Sequence, residues 1–225
     1  MQSKYSKQYL LTFILTLSSF FLSYSAFSSL ENNKECAKKA INNKNLNTSD
    51  SLDFDYDSDI TKGRLYHHEH PLRIEMKPGQ YVRYEGEEYE LKEVHFHTPS
   101  THSINSVDFA LEIHFVHFDE DGEKLTIAVM VEDKKNKIGN EESYFLNFIA
   151  SNINSDKKIK PLEISSFDLE DMLPEWRDFY EYSSKVKNAD DEKVLNWIVI
   201  KDSIYTNTRT LEIINQFLRK NSSTN

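Results

Sequence analysis

The stretch that decides the fold is residues 91–132, LKEVHFHTPSTHSINSVDFALEIHFVHFDEDGEKLTIAVMVE. It contains His95 and His97 in one alternating run of residues and His114 in a second. Successive side chains of a β-strand point to opposite faces, so His95 and His97 share a face. If the two runs are neighbouring strands of one sheet, the three histidines converge on a single point.

Three imidazoles on rigid strands, with no fourth protein ligand nearby, are typical of an open zinc site that keeps a water molecule on the metal. Glu93 and Glu112 precede His95 and His114 by two residues on the same face. Their carboxylates are therefore placed to accept the outer ring N–H groups of these histidines. The alternative is that the His-Phe-His sequence is packing or surface. A cupin-type site expects a glutamate about four residues after this sequence, where this chain has Thr101.

The strings HFHTPSTH, ALEIHFVH and DGEKLTIAVMVE resemble the core of the alpha-class carbonic anhydrases in their bacterial form. The resemblance extends over residues 51–217, with the order of landmarks kept. It implies a zinc lyase (a carbonate dehydratase) that hydrates carbon dioxide reversibly to bicarbonate, with Zn²⁺ held by His95, His97 and His114. On this basis the substrate is a small molecule.

The remaining pattern predicts a mostly β protein. Short alternating runs are separated by turn signals at residues 61–63, 77–79, 84–87 and 119–122, and helical spacing occurs only at residues 141–152 and 208–218. We therefore expect a single domain built on a large, mainly antiparallel twisted sheet with a few short helices.

Composition and charge narrow the function classes. A chain of 225 residues with 38% hydrophobic and 12% aromatic content can bury a full core. The formal net charge of −10 disfavours nucleic acid and anionic membranes as partners. Cys36 is the only cysteine, which excludes an intrachain disulfide and leaves either an exposed thiol or an intermolecular bridge.

The first 28 residues have the layout of a secretory signal peptide. Lys4 and Lys7 precede an apolar segment, small residues follow, and Ala26-Phe27-Ser28 is a suitable cleavage site. We expect a secreted or periplasmic protein with no membrane span in the mature chain; the alternative is an uncleaved anchor, although the apolar run is shorter than the ~20 residues that a span needs. Residues 29–50 are polar without a clear period and predict a flexible N-terminal arm, followed by the carbonic anhydrase-like domain at residues 51–225.

Two residues depart from the pattern of the family. In the family, a threonine in the loop before the late NWIVLK strand accepts a hydrogen bond from the zinc-bound hydroxide and is held by a glutamate. Alignment places Lys187 at the threonine and Thr101 at the glutamate. A lysine aimed at the metal is strongly disfavoured by charge, so we expect Lys187 to point outward or to pair with an acidic residue at 190–192.

The resemblance assigns further roles by position. His70 aligns with the proton-shuttle histidine, which suits an imidazole whose pKa lies near neutrality, and the alternative is a surface histidine in a polar turn. Val116, Val186 and Trp197 align with the apolar substrate pocket, although apolar strand residues are core by default. We expect an enzyme of reduced activity; the alternative is a catalytically impaired carbonic anhydrase-related binding protein.

Overall fold

The structure is a computed structural model that describes residues 39–41, 46–47, 51–57, 61–66, 72–136, 142–153, 161–165, 167–187 and 192–222. Its contacts divide the chain into two units, Met1–Ala37 and Lys38–Asn225. All of the described residues belong to the second unit. The predicted signal peptide, Cys36 and His70 lie outside the described residues.

Strands make up about half of the described residues. In chain order they are β1 (Lys39–Ile41), β2 (Leu46–Asn47), β3 (Leu52–Asp55), β4 (Lys62–Tyr66), β5 (Arg73–Met76), β6 (Tyr81–Tyr84), β7 (Glu87–His97), β8 (His102–Ile104), β9 (Val107–Asp108), β10 (Leu111–Phe118), β11 (Lys124–Asp133), β12 (Leu162–Ser165), β13 (Phe179–Lys187), β14 (Glu192–Ile200) and β15 (Ile204–Thr206). Within the described ranges the α-helices are α1 (Tyr144–Ile153) and α2 (Thr208–Ser222), and short 3₁₀ helices cover Lys134–Asn136 and Glu170–Met172.

The large sheet has the strand order β12-β4-β5-β7-β10-β11-β14-β13-β2. Most neighbours are antiparallel, including β7 with β10 and β10 with β11. However, β11 runs parallel to both β14 and β15. The prediction of a mostly β domain on a large, mainly antiparallel sheet is confirmed, with the addition that the sheet is mixed.

The two faces of the central strands have different tasks. On one face Phe96, Ile113, Phe115 and Ile127 are almost completely buried in the hydrophobic core. Helix α2 adds Ile214 and other apolar residues to the same core. Burying these side chains supplies the main driving force for folding and leaves the opposite face of β7 and β10 free for polar groups.

The structure contains strand segments that the sequence pattern does not predict. Strands β1 and β2 lie within residues 29–50, for which the sequence predicts a flexible arm. Strand β13 continues through Lys187, which the alignment places in a loop, and the backbone register sets Lys187 opposite Glu192. Strands of two to four residues carry too little periodicity to be recognised, because a partner strand rather than local pattern defines them.

Among the described residues, no helix is both long enough and apolar enough to cross a membrane.

Candidate metal centre

Three histidines meet on the polar face of the β7–β10 pair. The antiparallel register places His114 directly opposite His95 and places Glu112 opposite His97. Directly opposite residues of an antiparallel pair project from the same face, so the two strands bring His95, His97 and His114 together. Their ring centroids lie 4.4 to 5.0 Å apart, and their ligand atoms lie within 4.8 Å of one another.

Buried carboxylates hold the outer nitrogen atoms of two of these rings. Nδ1 of His95 lies 2.9 Å from Oε1 of Glu93, and Nε2 of His114 lies 2.7 Å from Oε1 of Glu112. An ionised carboxylate only accepts hydrogen bonds, so each of these ring nitrogens carries the proton. When each ring carries only this one proton, its inner atom, Nε2 of His95 or Nδ1 of His114, carries a lone pair.

These inner nitrogen atoms face each other at 3.2 Å. Two lone pairs repel at this distance unless a proton or a metal cation lies between them. Nitrogen ligands about 2.0 to 2.1 Å from a tetrahedral Zn²⁺ are about 3.3 Å apart. Three imidazoles, and the spacing of these two atoms, therefore fit zinc, and His97 offers a third nitrogen atom within 4.8 Å of the other two.

Burial and hydrogen bonding keep the charges of the site in the form that a metal requires. Burial lowers the pKa of His114 to about 4, although Glu112 opposes this shift. The ring is therefore uncharged near pH 7. Burial alone would raise the pKa of Glu112, but interaction with His114 and hydrogen bonds from His102 and His114 hold that pKa well below its usual range. Burial also acts to raise the pKa of Glu93, and His95 outweighs it, so that pKa is lowered as well. Neutral imidazoles backed by anions are strong ligands for a cation.

Glu112 is the hub of the buried network around the centre, and its side chain is fully buried. Besides His114, it accepts Nδ1–H of His102 at 2.5 Å and the backbone N–H groups of Thr101 and His102 at 2.6 and 3.0 Å. The Thr101 hydroxyl donates to it at 3.0 Å. The chain of contacts continues from Nε2 of His102 to the hydroxyl of Tyr182 at 2.7 Å.

Of the predicted pocket residues, Val116 and Trp197 lie beside the histidines. Val116 is buried and stands opposite Glu93 in the register, and the Trp197 ring centroid lies 5.1 Å from that of His114. The backbones of Val186 and Lys187 belong to β13, but their side chains lie outside the described residues, as does His70.

Three residues on this face are not predicted from the sequence. His102 and Tyr182 form the network behind Glu112, and Thr126 lies between Val116 and Trp197 in the register of β10, β11 and β14. His102 is the last residue of HFHTPSTH, so the signal was its place in that string. No local pattern identifies Tyr182, because its contact with His102 forms only when β13 joins the sheet.

Comparison with known proteins places the chain among carbonic anhydrases. The sequence profile described as eukaryotic-type carbonic anhydrase matches residues 36–225. A carbonic anhydrase of Neisseria gonorrhoeae is 29% identical over 123 residues, which is 55% of this chain and 46% of that protein. Alpha carbonic anhydrase 2 of Arabidopsis thaliana is 30% identical over 118 residues, 52% of this chain and 46% of that protein. The chain thus matches about half the length of these curated relatives.

Solved structures show the same fold. The alpha-carbonic anhydrase of Thermovibrio ammonificans, in complex with the inhibitor sulfanilamide, superimposes with a TM-score of 0.65 at 24% identity, covering 84% of this chain and 82% of that one. Dioscorin complexed with ascorbate superimposes with a TM-score of 0.63 at 20% identity, covering 84% and 78%. Since the family profile spans most of the chain, the protein belongs to the eukaryotic-type carbonic anhydrase family.

Proposed function

We propose that this protein is a zinc-dependent carbonic anhydrase that hydrates carbon dioxide to bicarbonate at a reduced rate. The observation that carries the proposal is the pair of inner nitrogen atoms, Nε2 of His95 and Nδ1 of His114, 3.2 Å apart and each backed by a buried carboxylate. Family membership and the fit of the donor set to zinc support the same conclusion.

In this proposal the chain supplies ligands and orientation. His95, His97 and His114 hold the metal, and Glu93 and Glu112 fix the first and the last of these rings. Zinc bound in this way would act as a Lewis acid and bring the pKa of its water to about 7, a value for which carbonic anhydrase is itself the standard example. Val116, Trp197 and Val186 would form the apolar wall for carbon dioxide, and His70 would carry the proton to solvent.

The expected reduction in rate follows from the two altered positions. Thr101 stands where the family has a glutamate, and its hydroxyl is engaged with Glu112. Lys187 aligns with the threonine of the family, and a lysine side chain cannot accept the hydrogen bond of a zinc-bound hydroxide as that threonine does. Losing one preorganised polar contact of this kind costs about 10²- to 10³-fold in rate. The same change favours the alternative, a binding protein that keeps the metal and lacks turnover.

The test combines metal analysis with stopped-flow carbon dioxide hydration, followed by a pH indicator. We expect about one zinc per chain and a sulfonamide-sensitive hydration rate. His114→Ala should abolish both, whereas His117→Gln, on the same strand but the opposite face, should retain the metal. Protein that binds no zinc contradicts the site, and zinc without turnover above buffer selects the binding protein.

We also propose that the protein acts outside the cytoplasm. The support is the layout of residues 1–28, in which two lysines precede an apolar segment and small residues.

A further inference from the structure

Thr101 is fixed in place by its backbone. It follows the turn after β7, and its carbonyl oxygen accepts the backbone N–H of Lys39 at 2.9 Å. The next residue, His102, begins β8 and is paired in register with Lys39 of β1. The Thr101 side chain is therefore presented from a segment that is held by another strand.

From this position Thr101 donates two hydrogen bonds to one oxygen of Glu112. Its N–H and its hydroxyl donate to Oε2 at 2.6 and 3.0 Å, and the N–H of His102 donates to the same atom at 3.0 Å. The other oxygen, Oε1, accepts Nδ1–H of His102 at 2.5 Å and faces Nε2 of His114 at 2.7 Å. A carboxylate is planar, so the three donors on Oε2 act together with His102 to fix the direction in which Oε1 meets the His114 ring.

We propose that Thr101 is a positioning residue, which orients His114 toward the metal through Glu112. The inference rests on the proposed function and concerns the residue that stands in place of the family's glutamate. In this chain the position has exchanged an acceptor for a donor, and that donor anchors the carboxylate behind a metal ligand. Residues that orient a ligand in this way typically change metal affinity 10- to 100-fold when removed.

The first experiment compares Zn²⁺ affinity by competition with a chromophoric chelator. Thr101→Val keeps the shape of the side chain and removes the hydroxyl, and we expect it to weaken zinc binding about tenfold. Thr101→Ser keeps the hydroxyl and should restore the affinity of the natural protein. The matched control is Thr98→Val, because the Thr98 hydroxyl donates to the carbonyl of Ala110 at 2.9 Å and not to a carboxylate. That variant should bind zinc as the natural protein does.

A second readout needs no metal. In the metal-free protein, the ring N–H resonance of His114 should shift in Thr101→Val and stay in place in Thr101→Ser and Thr98→Val. The visible spectrum of the Co²⁺-substituted proteins should separate the variants in the same way, since it reports the geometry of the ligands.

The inference is overturned if Thr101→Val matches the natural protein in zinc affinity and in the His114 resonance, or if Thr98→Val changes both as much. If the natural protein binds no zinc but Thr101→Val still shifts the His114 resonance, the result contradicts the proposed function alone. A protein that binds zinc with no effect of Thr101→Val contradicts only the role of Thr101.

Discussion

His117 lies on the same strand as His114 and has a different environment. Strand alternation turns it to the opposite face, where it is fully buried. Its Nδ1–H donates to the carbonyl of Phe115 at 3.1 Å, and its Nε2 accepts the hydroxyl of Tyr56 at 2.6 Å. Both ring nitrogens are thus occupied by protein groups, and this histidine belongs to the packing of β10.

The burial of His117 predicts a pH-dependent stability in the metal-free protein. Burial lowers the pKa of its ring from 6.5 to about 3. Between these values the unfolded chain binds a proton that the folded chain does not, so stability falls as pH decreases through this window. One proton contributes up to about 1.4 kcal/mol per pH unit to the slope.

Urea unfolding between pH 4 and pH 7 measures this slope. His117→Gln keeps a polar group at the site and removes the titration, so its free energy of unfolding should depend less steeply on pH by about one proton. Equal slopes in the two proteins would show that His117 titrates normally in the folded state.

At the scale of elements, alternate residues of strand β11 face the hydrophobic core and the candidate metal centre. Ile127 faces the core, while Thr126, Ala128 and Met130 share the face of the candidate ligands, because they stand opposite Val116, His114 and Glu112. A shift of one residue in the β7–β10 pairing would turn the histidines into the apolar core, so the alternating pattern fixes this register strongly.

The buried hydroxyl of Thr126, on this same face, is a site where a substitution should stabilise the protein. It is buried, and its Oγ1 has no hydrogen-bond partner among the described residues. A buried hydroxyl without a partner costs about 1 to 3 kcal/mol, so Thr126→Val should raise the free energy of unfolding by about 1 kcal/mol.

Thr61→Val is the matched comparison, since Thr61 is equally buried and its hydroxyl donates to the carbonyl of Asp57 at 2.6 Å. We expect this second variant to be less stable than the natural protein in the same urea titration. If Thr126→Val loses as much stability as Thr61→Val, the Thr126 hydroxyl has a partner in solution.

At the scale of the whole molecule, the described residues begin at Lys39, and β1 pairs with the strand that carries His102. Residues 1–28 are predicted to direct export. Expressed at full length in a Gram-negative host, the protein should appear in the periplasm with residues 1–28 removed, as determined by intact mass and N-terminal sequencing.

A version without residues 2–28 should stay in the cytoplasm. Recovery of the full-length chain from the membrane fraction, with its N-terminus intact, would favour the uncleaved anchor.

Local pattern predicts much of the fold and part of the site. Periods of two and 3.6 residues are properties of neighbouring residues, so the sequence indicates β7, β10, β11 and both α-helices. The same alternation places Glu93 with His95 and Glu112 with His114, because residues two apart on a strand share a face. These placements need only the identity and spacing of the residues.

The tertiary structure alone decided the rest. The parallel pairing of β11 with β14 joins segments about seventy residues apart, and no local period encodes which distant strand a segment will meet. The short strand β8 returns Thr101 and His102 to Glu112, and the long strand β13 brings Tyr182 to His102. A buried carboxylate must find donors wherever the fold supplies them, so the complete network around Glu112 exists only once these strands have assembled.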